Sequence, residues 1–248
     1  VYTTIDDPSA YFKVQLYTGT GSSNAITFND TDTDMQPDLV WLKQRSSPAA
    51  SHVVVDATRG TGKFVTPNAS SAETDDAYNV TAFGSDGFTV GASSGSGDIN
   101  VSSETYVAWC WKANGTGSAN TAGSINTTAT SAETTSGFSI IKFTGNDTGG
   151  ATIGHGLGAV PGMILVKSTT SYDWAVYHHK NTAAPETDYL VLNTTVATAD
   201  HVQRWNDTAP SSTLITLGSN GDVNGSNIMI AYCWAPVQGF SKFGSYEG

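Results

Sequence analysis

The chain has 248 residues, only 13% of them charged, and a formal net charge of −11 from 11 basic and 22 acidic side chains. A protein that tracks nucleic-acid phosphates needs a basic face, so that class is excluded. No apolar run approaches the roughly 18–20 residues of a membrane-spanning helix, and six Trp and ten Tyr within 38% hydrophobic residues supply a packed core, which excludes global disorder.

Residues 1–10, with Asp6-Asp7-Pro8, read as an entry segment. No basic segment followed by an apolar one marks a signal peptide; because the chain opens on Val1, we expect it to be part of something longer. Phe12–Thr18 alternates, with Phe12, Val14 and Leu16 on one face and Lys13, Gln15 and Tyr17 on the other. Segments 39–43, 53–56, 88–90 and 106–111 are short, rich in β-branched and aromatic residues, and bounded by Gly, Asn, Asp and Ser, which is a strand signature. Residues 114–136 are nearly all Gly, Ala, Ser, Thr and Asn and read as a linker. Strand signatures resume at 138–144, 163–167, 174–178, 189–192, 214–217 and 228–234. Segments 70–78 and 196–205 each have room for one helical turn.

The chain repeats itself at an offset of roughly 122–127 residues. Leu16-Tyr17-Thr18-Gly19 matches Lys142-Phe143-Thr144-Gly145, and Pro37-Asp38-Leu39-Val40-Trp41-Leu42-Lys43 matches Pro161-Gly162-Met163-Ile164-Leu165-Val166-Lys167. Tyr106-Val107-Ala108-Trp109-Cys110-Trp111 and Met229-Ile230-Ala231-Tyr232-Cys233-Trp234 close the two copies. The pattern predicts an all-β fold: two tandem antiparallel β-sandwich domains of the jelly-roll or concanavalin-like kind, from an internal duplication, with an immunoglobulin-like sandwich as the alternative. Repeat 1 spans 11–113 and repeat 2 spans 137–235. Residues 236–248 resemble the opening of repeat 2 and read as the start of a third repeat or as a terminal strand. Cys110 and Cys233 occupy equivalent positions, so they are expected to be free, buried thiols rather than partners.

Sites of chemistry are sparse. There is no nucleophile elbow, P-loop, HExxH or CxxC pattern. Gly154-His155-Gly156-Leu157-Gly158 reads as a turn whose glycines permit positive φ. Glu104 sits just before the 106–111 strand with Asp98 near it, but nothing pairs them as a glycosidase requires. His178 and His179 are adjacent, so in a strand they face opposite ways. Sequons at Asn68, Asn79, Asn114 and Asn206 follow from composition. In Asn29-Asp30-Thr31-Asp32-Thr33-Asp34, the carboxylates of Asp30, Asp32 and Asp34 could converge on Ca²⁺, although Met35 and Trp41 stand where an EF-hand needs Gly and Glu. Among the tryptophans, Trp111, Trp174, Trp205 and Trp234 are candidates to stack on a sugar, with Trp174 and Trp205 singled out because Trp111 and Trp234 recur in both copies as core residues would.

Several strings together resemble a known group. They are Pro37-Asp38-Leu39-Val40-Trp41-Leu42-Lys43-Gln44-Arg45, Asp56-Ala57-Thr58-Arg59-Gly60, Ser85-Asp86-Gly87-Phe88-Thr89-Val90-Gly91, Tyr106-Val107-Ala108-Trp109-Cys110-Trp111-Lys112-Ala113, Gly154-His155-Gly156-Leu157-Gly158 and Gly239-Phe240-Ser241-Lys242-Phe243-Gly244-Ser245-Tyr246. With them, the chain over about 11–248 resembles tandem modules of large structural proteins of marine tailed phages and cyanophages. The resemblance implies a virion or extracellular location, in a tail fibre, appendage or capsid-surface fibre. It implies no catalytic residue and no cofactor.

Three functions compete at this point: a structural or adhesive virion module, a lectin-like carbohydrate-binding module, and a polysaccharide-degrading enzyme. The first is favoured. Its expected partners are further copies of the chain in a homo-oligomer, other virion proteins and host-surface glycan, but neither nucleic acid nor membrane. The expected self-contact is the aromatic segment 239–248, packed against a neighbouring module or subunit.

Overall fold

The computed structural model describes residues 3–28, 31–93 and 97–246. The chain forms two compact units, one of residues 7–68 and 73–116, the other of residues 117–248 with the short segments 1–6 and 69–72. We call them the N-terminal and C-terminal units.

The N-terminal unit starts with a 3-10 turn at Pro8–Ala10, capped by the Asp7 side chain, which accepts from the Ser9 amide. Nine strands follow: β1 (Phe12–Thr18), β2 (Asn24–Thr27), β3 (Leu39–Gln44), β4 (His52–Asp56), β5 (Lys63–Val65), β6 (Thr74–Asp75), β7 (Val80–Gly84), β8 (Gly87–Val90) and β9 (Thr105–Trp111). One antiparallel sheet runs β1-β9-β3-β4-β5-β6 and a smaller one β2-β8-β7. The core lies between them. Val40, Leu42, Val53, Val55, Ala108 and Cys110 of the large sheet meet Ile26, Phe88, Val90 and Val80 of the small one. β9 alternates buried and half-buried positions along its whole length, the period-2 signature of a strand with one face in a core.

The C-terminal unit adds β10 (Ala129–Glu133), β11 (Phe138–Thr144), β12 (Ala151–Gly154), β13 (Met163–Ser168), β14 (Ala175–His178), β15 (Asp188–Val191), β16 (Ala199–Asp200), α1 (Val202–Trp205), β17 (Leu214–Leu217), α2 (Gly221–Asn224) and β18 (Ile228–Trp234). Its large antiparallel sheet runs β10-β11-β18-β13-β14-β15-β16, and β12 pairs with β17. Ile141, Phe143, Ile164, Val166, Met229, Ala231 and Cys233 pack against Ile153, Ile215, Leu217, Trp205 and Val223. β18 is buried at every position but Ile228, so it reads as a continuous apolar run rather than an alternation.

The protein is therefore all-β and sandwich-like, with two short helices. Cys110 and Cys233 are free and buried in the central strands β9 and β18, and burial pushes both thiols well above their ordinary range.

Three readings of the sequence need correction. The segment 114–136 is not simply a linker. It contributes β10, which pairs with β11 from Ala129↔Lys142 to Glu133↔Phe138. Its small residues allow close approach: a Cβ at Gly117, which has φ 72°, would meet the Thr130 carbonyl carbon at 2.6 Å. Its hydroxyls bond one another, as Thr127 and Thr130 do at 2.8 Å. The segment 70–78 holds no helical turn but carries β6; the turn expected at 196–205 is α1.

Finally, the described part of the terminal segment, read as the start of a third repeat or a terminal strand, forms a turn and packs on its own unit. Val237 and Ser241 exchange backbone bonds of 3.1 and 2.9 Å across a turn. The Phe243 ring then lies 6.4 Å from the rings of both His178 and His179. Of its aromatics, only Tyr246 is left almost fully exposed.

Candidate functional site

β1 presents its apolar residues outward, away from the core. The register with β9 sets this orientation, because Lys13 pairs with Cys110 and Tyr17 with Tyr106, both of which face the core. Tyr17 stacks on Tyr106 at 5.0 Å and meets Phe88 edge-on at 6.2 Å. The Lys13 ammonium sits 5.2 Å from the Phe28 ring centre, which gives a buried cation an aromatic face. Val14 and Leu16 are consequently half exposed, at 50% and 53%.

The same outward row continues across the sheet. Val14 lies beside Trp109 and Leu16 beside Val107. On the far side of β9, Trp41 stands opposite Trp109 and Lys43 opposite Val107. Trp41, Val107 and Trp109 are half-buried. The Trp41 indole N–H donates to His52 Nδ1 at 3.0 Å. Burial, helped by the Lys43 charge, holds His52 below its ordinary pKa, which suits a neutral ring accepting that bond. Lys43 Nζ in turn donates to the Gln44 and Ser47 carbonyls, each at 2.9 Å. The row is thus apolar and aromatic at its centre, with one fixed cation at its rim.

The residues singled out from sequence sit elsewhere. Trp174 is 0% and Trp205 2% exposed. Trp174 stacks near Tyr232 at 6.3 Å, and Trp205 meets Tyr177 edge-on at 5.8 Å. Neither ring has a solvent face on which a sugar could stack, so both are core residues. Asp30 lies outside the described residues, and Asp32 and Asp34 are exposed. Among the described residues, no three His, Cys, Asp or Glu side chains stand close enough to hold a metal ion.

Glu104 accepts from Gln44 Nε2 at 3.0 Å and from the Ser46 hydroxyl, which tie it to the end of β3. Gly156 and Gly158 take φ of 75° and 70°, as the turn reading requires. Between them and Gly154, His155 is fully buried. Leu157 donates to its Nδ1 at 3.3 Å, and its Nε2 faces the Ser211 carbonyl at 3.2 Å. These contacts define a neutral tautomer carrying its proton on Nε2, and burial lowers the His155 pKa accordingly.

The outward row was missed because its tryptophans lie in strands that also feed the core. The usable signal was the spacing of Val107, Trp109 and Trp111 at every second residue, opposite in phase to Tyr106, Ala108 and Cys110.

These features define an all-β, sandwich-like protein whose large N-terminal sheet carries an apolar and aromatic outward row. The chain belongs to the family described as Domain of unknown function (DUF7483), whose model matches residues 7–248. No curated protein and no solved structure matches it.

Proposed function

We propose that the chain is a structural, adhesive module of a phage particle, placed in a tail fibre, appendage or capsid-surface fibre, and that it works by contact with copies of itself and with other virion proteins. The outward row of Val14, Leu16, Trp41, Val107 and Trp109 carries this reading. A contiguous apolar surface on a weakly charged acidic chain is costly in water and suits a surface made to be covered.

We also propose that the two units are duplicated sandwiches of the jelly-roll or concanavalin-like kind. Matching β1 with β11, β9 with β18, β3 with β13, β4 with β14, β5 with β15 and β6 with β16 gives the same strand order in the two large sheets. β2 and β8 pair as β12 and β17 do. This supports the duplication, as does the placement of Cys110 and Cys233 in β9 and β18.

A lectin-like reading keeps one specific support: Trp41 and Trp109 are adjacent, half-buried rings in the outward row, and such rings can stack on a sugar.

The test is immunogold labelling of intact particles of the tailed phage that encodes the chain. We expect gold on a discrete fibre, appendage or capsid surface. Antibody that detects the chain in the infected lysate but leaves purified particles unlabelled would overturn the virion reading.

A further inference from the structure

β1 is the outer strand of its sheet in the N-terminal unit, whereas β11, its counterpart in the C-terminal unit, is an inner one. Lys112 donates to the Tyr11 carbonyl at 2.9 Å and Gly19 to the Glu104 carbonyl at 2.8 Å. The odd-numbered residues of β1 therefore exchange their backbone bonds with β9, and the even-numbered ones turn theirs outward. The same phase holds in β11. There Ala235 donates to Gly137, Gly145 to Asn227, and the opposite edge is closed by β10, with Thr128 donating to the Lys142 carbonyl at 2.8 Å.

At the matched positions the consequence is visible in burial. Ile140 is 0% exposed, and Val14 is 50% exposed. Among the described residues no strand closes the outer edge of β1. Two side chains reach its carbonyls: Gln15 Nε2 donates to Leu16 at 3.0 Å, and Asn24 Nδ2 to Thr18 at 3.3 Å.

We infer that the outer edge of β1 is a strand-pairing surface and that its occupant is β1 of a second copy of this chain, antiparallel about a two-fold axis at Gln15. This rests on the self-association part of the proposed function and gives it a surface different from segment 239–248.

β1 is seven residues long with Gln15 at its centre, so the pairing is self-complementary along its full length. The outward-bonding residues would meet in register, Val14 with the partner's Leu16 and Phe12 with the partner's Thr18. The first is an apolar cross-strand pair and the second sets an aromatic ring against a β-branched Thr, and on the outward face they extend the row of Trp109 and Trp41 across the axis. No like charges are brought opposite. Lys13, the one charged residue of β1, faces the core and is already buried. An inward lysine normally guards a strand edge, because a new strand would bury its charge. Here Lys13 already lies buried over the Phe28 ring, so a new strand at this edge adds little to the burial of its charge. Two short edges bury less than a standard interface, which places the affinity on the order of micromolar.

Sedimentation equilibrium of the full chain between about 1 and 500 µM should show a monomer–dimer equilibrium. Leu16→Lys should weaken it at least about tenfold. Val14→Pro removes only an outward N–H, leaves the bonds to β9 intact, and should weaken it similarly. Val196→Lys, at an exposed position of the C-terminal unit, should leave it unchanged. Circular dichroism checks that each variant folds. In the native chain, exchange of the Val14 and Leu16 amides should slow with rising protein concentration, while the Lys13, Gln15 and Tyr17 amides stay protected throughout.

A chain that is monomeric over the whole range overturns both this inference and the self-association it rests on. A dimer indifferent to both β1 variants, or Val14 and Leu16 exchange independent of concentration, overturns this inference alone. The virion reading is judged separately, by the particle labelling.

Discussion

Replacing Asp56 with alanine should destabilise the N-terminal unit by about 3–5 kcal/mol, among the largest losses available from a single side chain. Asp56 is fully buried at the end of β4, and its carboxylate organises the turn that follows. Oδ1 accepts from the Arg59 amide at 2.9 Å and from Thr58 Oγ1 at 2.5 Å, and Oδ2 accepts from Arg59 Nε at 2.6 Å. The Arg59 guanidinium is buried with it, donating to the Val54 carbonyl at 3.0 Å and to Glu73 at 3.2 Å. Removing Asp56 strands most of that positive charge in the interior, which costs far more than the intact pair contributes relative to an apolar replacement. Glu73 is partly solvated at the rim, so Glu73→Gln should cost about 1 kcal/mol or less. Chemical denaturation followed through amide exchange of β3 and β4 reads both. An Asp56→Ala loss no larger than that of Glu73→Gln would contradict the buried-pair account.

Trp205→Ala is the second large effect, and it falls on the other unit. The indole is buried against Tyr177 within a core that includes Ile215, Leu217 and Val223. Truncation should cost about 3–5 kcal/mol through lost burial and the cavity left behind. The melting transition of the C-terminal unit should fall by on the order of 10 °C. Trp205 Nε1 is buried and has no hydrogen-bond partner among the described residues. Trp205→Phe therefore removes an unsatisfied donor along with part of the ring, and its loss should be less than about half as large. Calorimetry of the two variants checks this. Equal losses, or a Trp205→Ala chain that melts normally, would mean the ring is not the core element described.

Strand existence was largely legible in the sequence, because alternating or β-branched runs bounded by Gly and Asn leave few other folds open. What the sequence could not supply was phase. Phe12, Val14 and Leu16 look like a core face by composition, yet they point outward, because the register against β9 places Lys13 and Tyr17 over Phe28 and Tyr106. A strand's inward side is decided by its neighbour, not by its own residues. β10 was invisible for a related reason: Ala129-Thr130-Ser131-Ala132-Glu133 has the composition of a linker and becomes a strand only where β11 offers an edge. The tryptophans failed as site markers because ring size argues equally for core and for contact. Trp174 and Trp205 took the first role, and Trp41 and Trp109 are only half enclosed.

The proposed function puts the chain's contacts inside a particle on the outward row of the N-terminal sheet. Hydroxyl-radical footprinting tests it most directly, comparing the chain in intact particles with the isolated chain diluted to its monomeric form. Oxidation of Val14, Leu16, Trp41 and Trp109 should be at least several-fold slower in the particle. Oxidation of these four residues at the same rate in both states would contradict it.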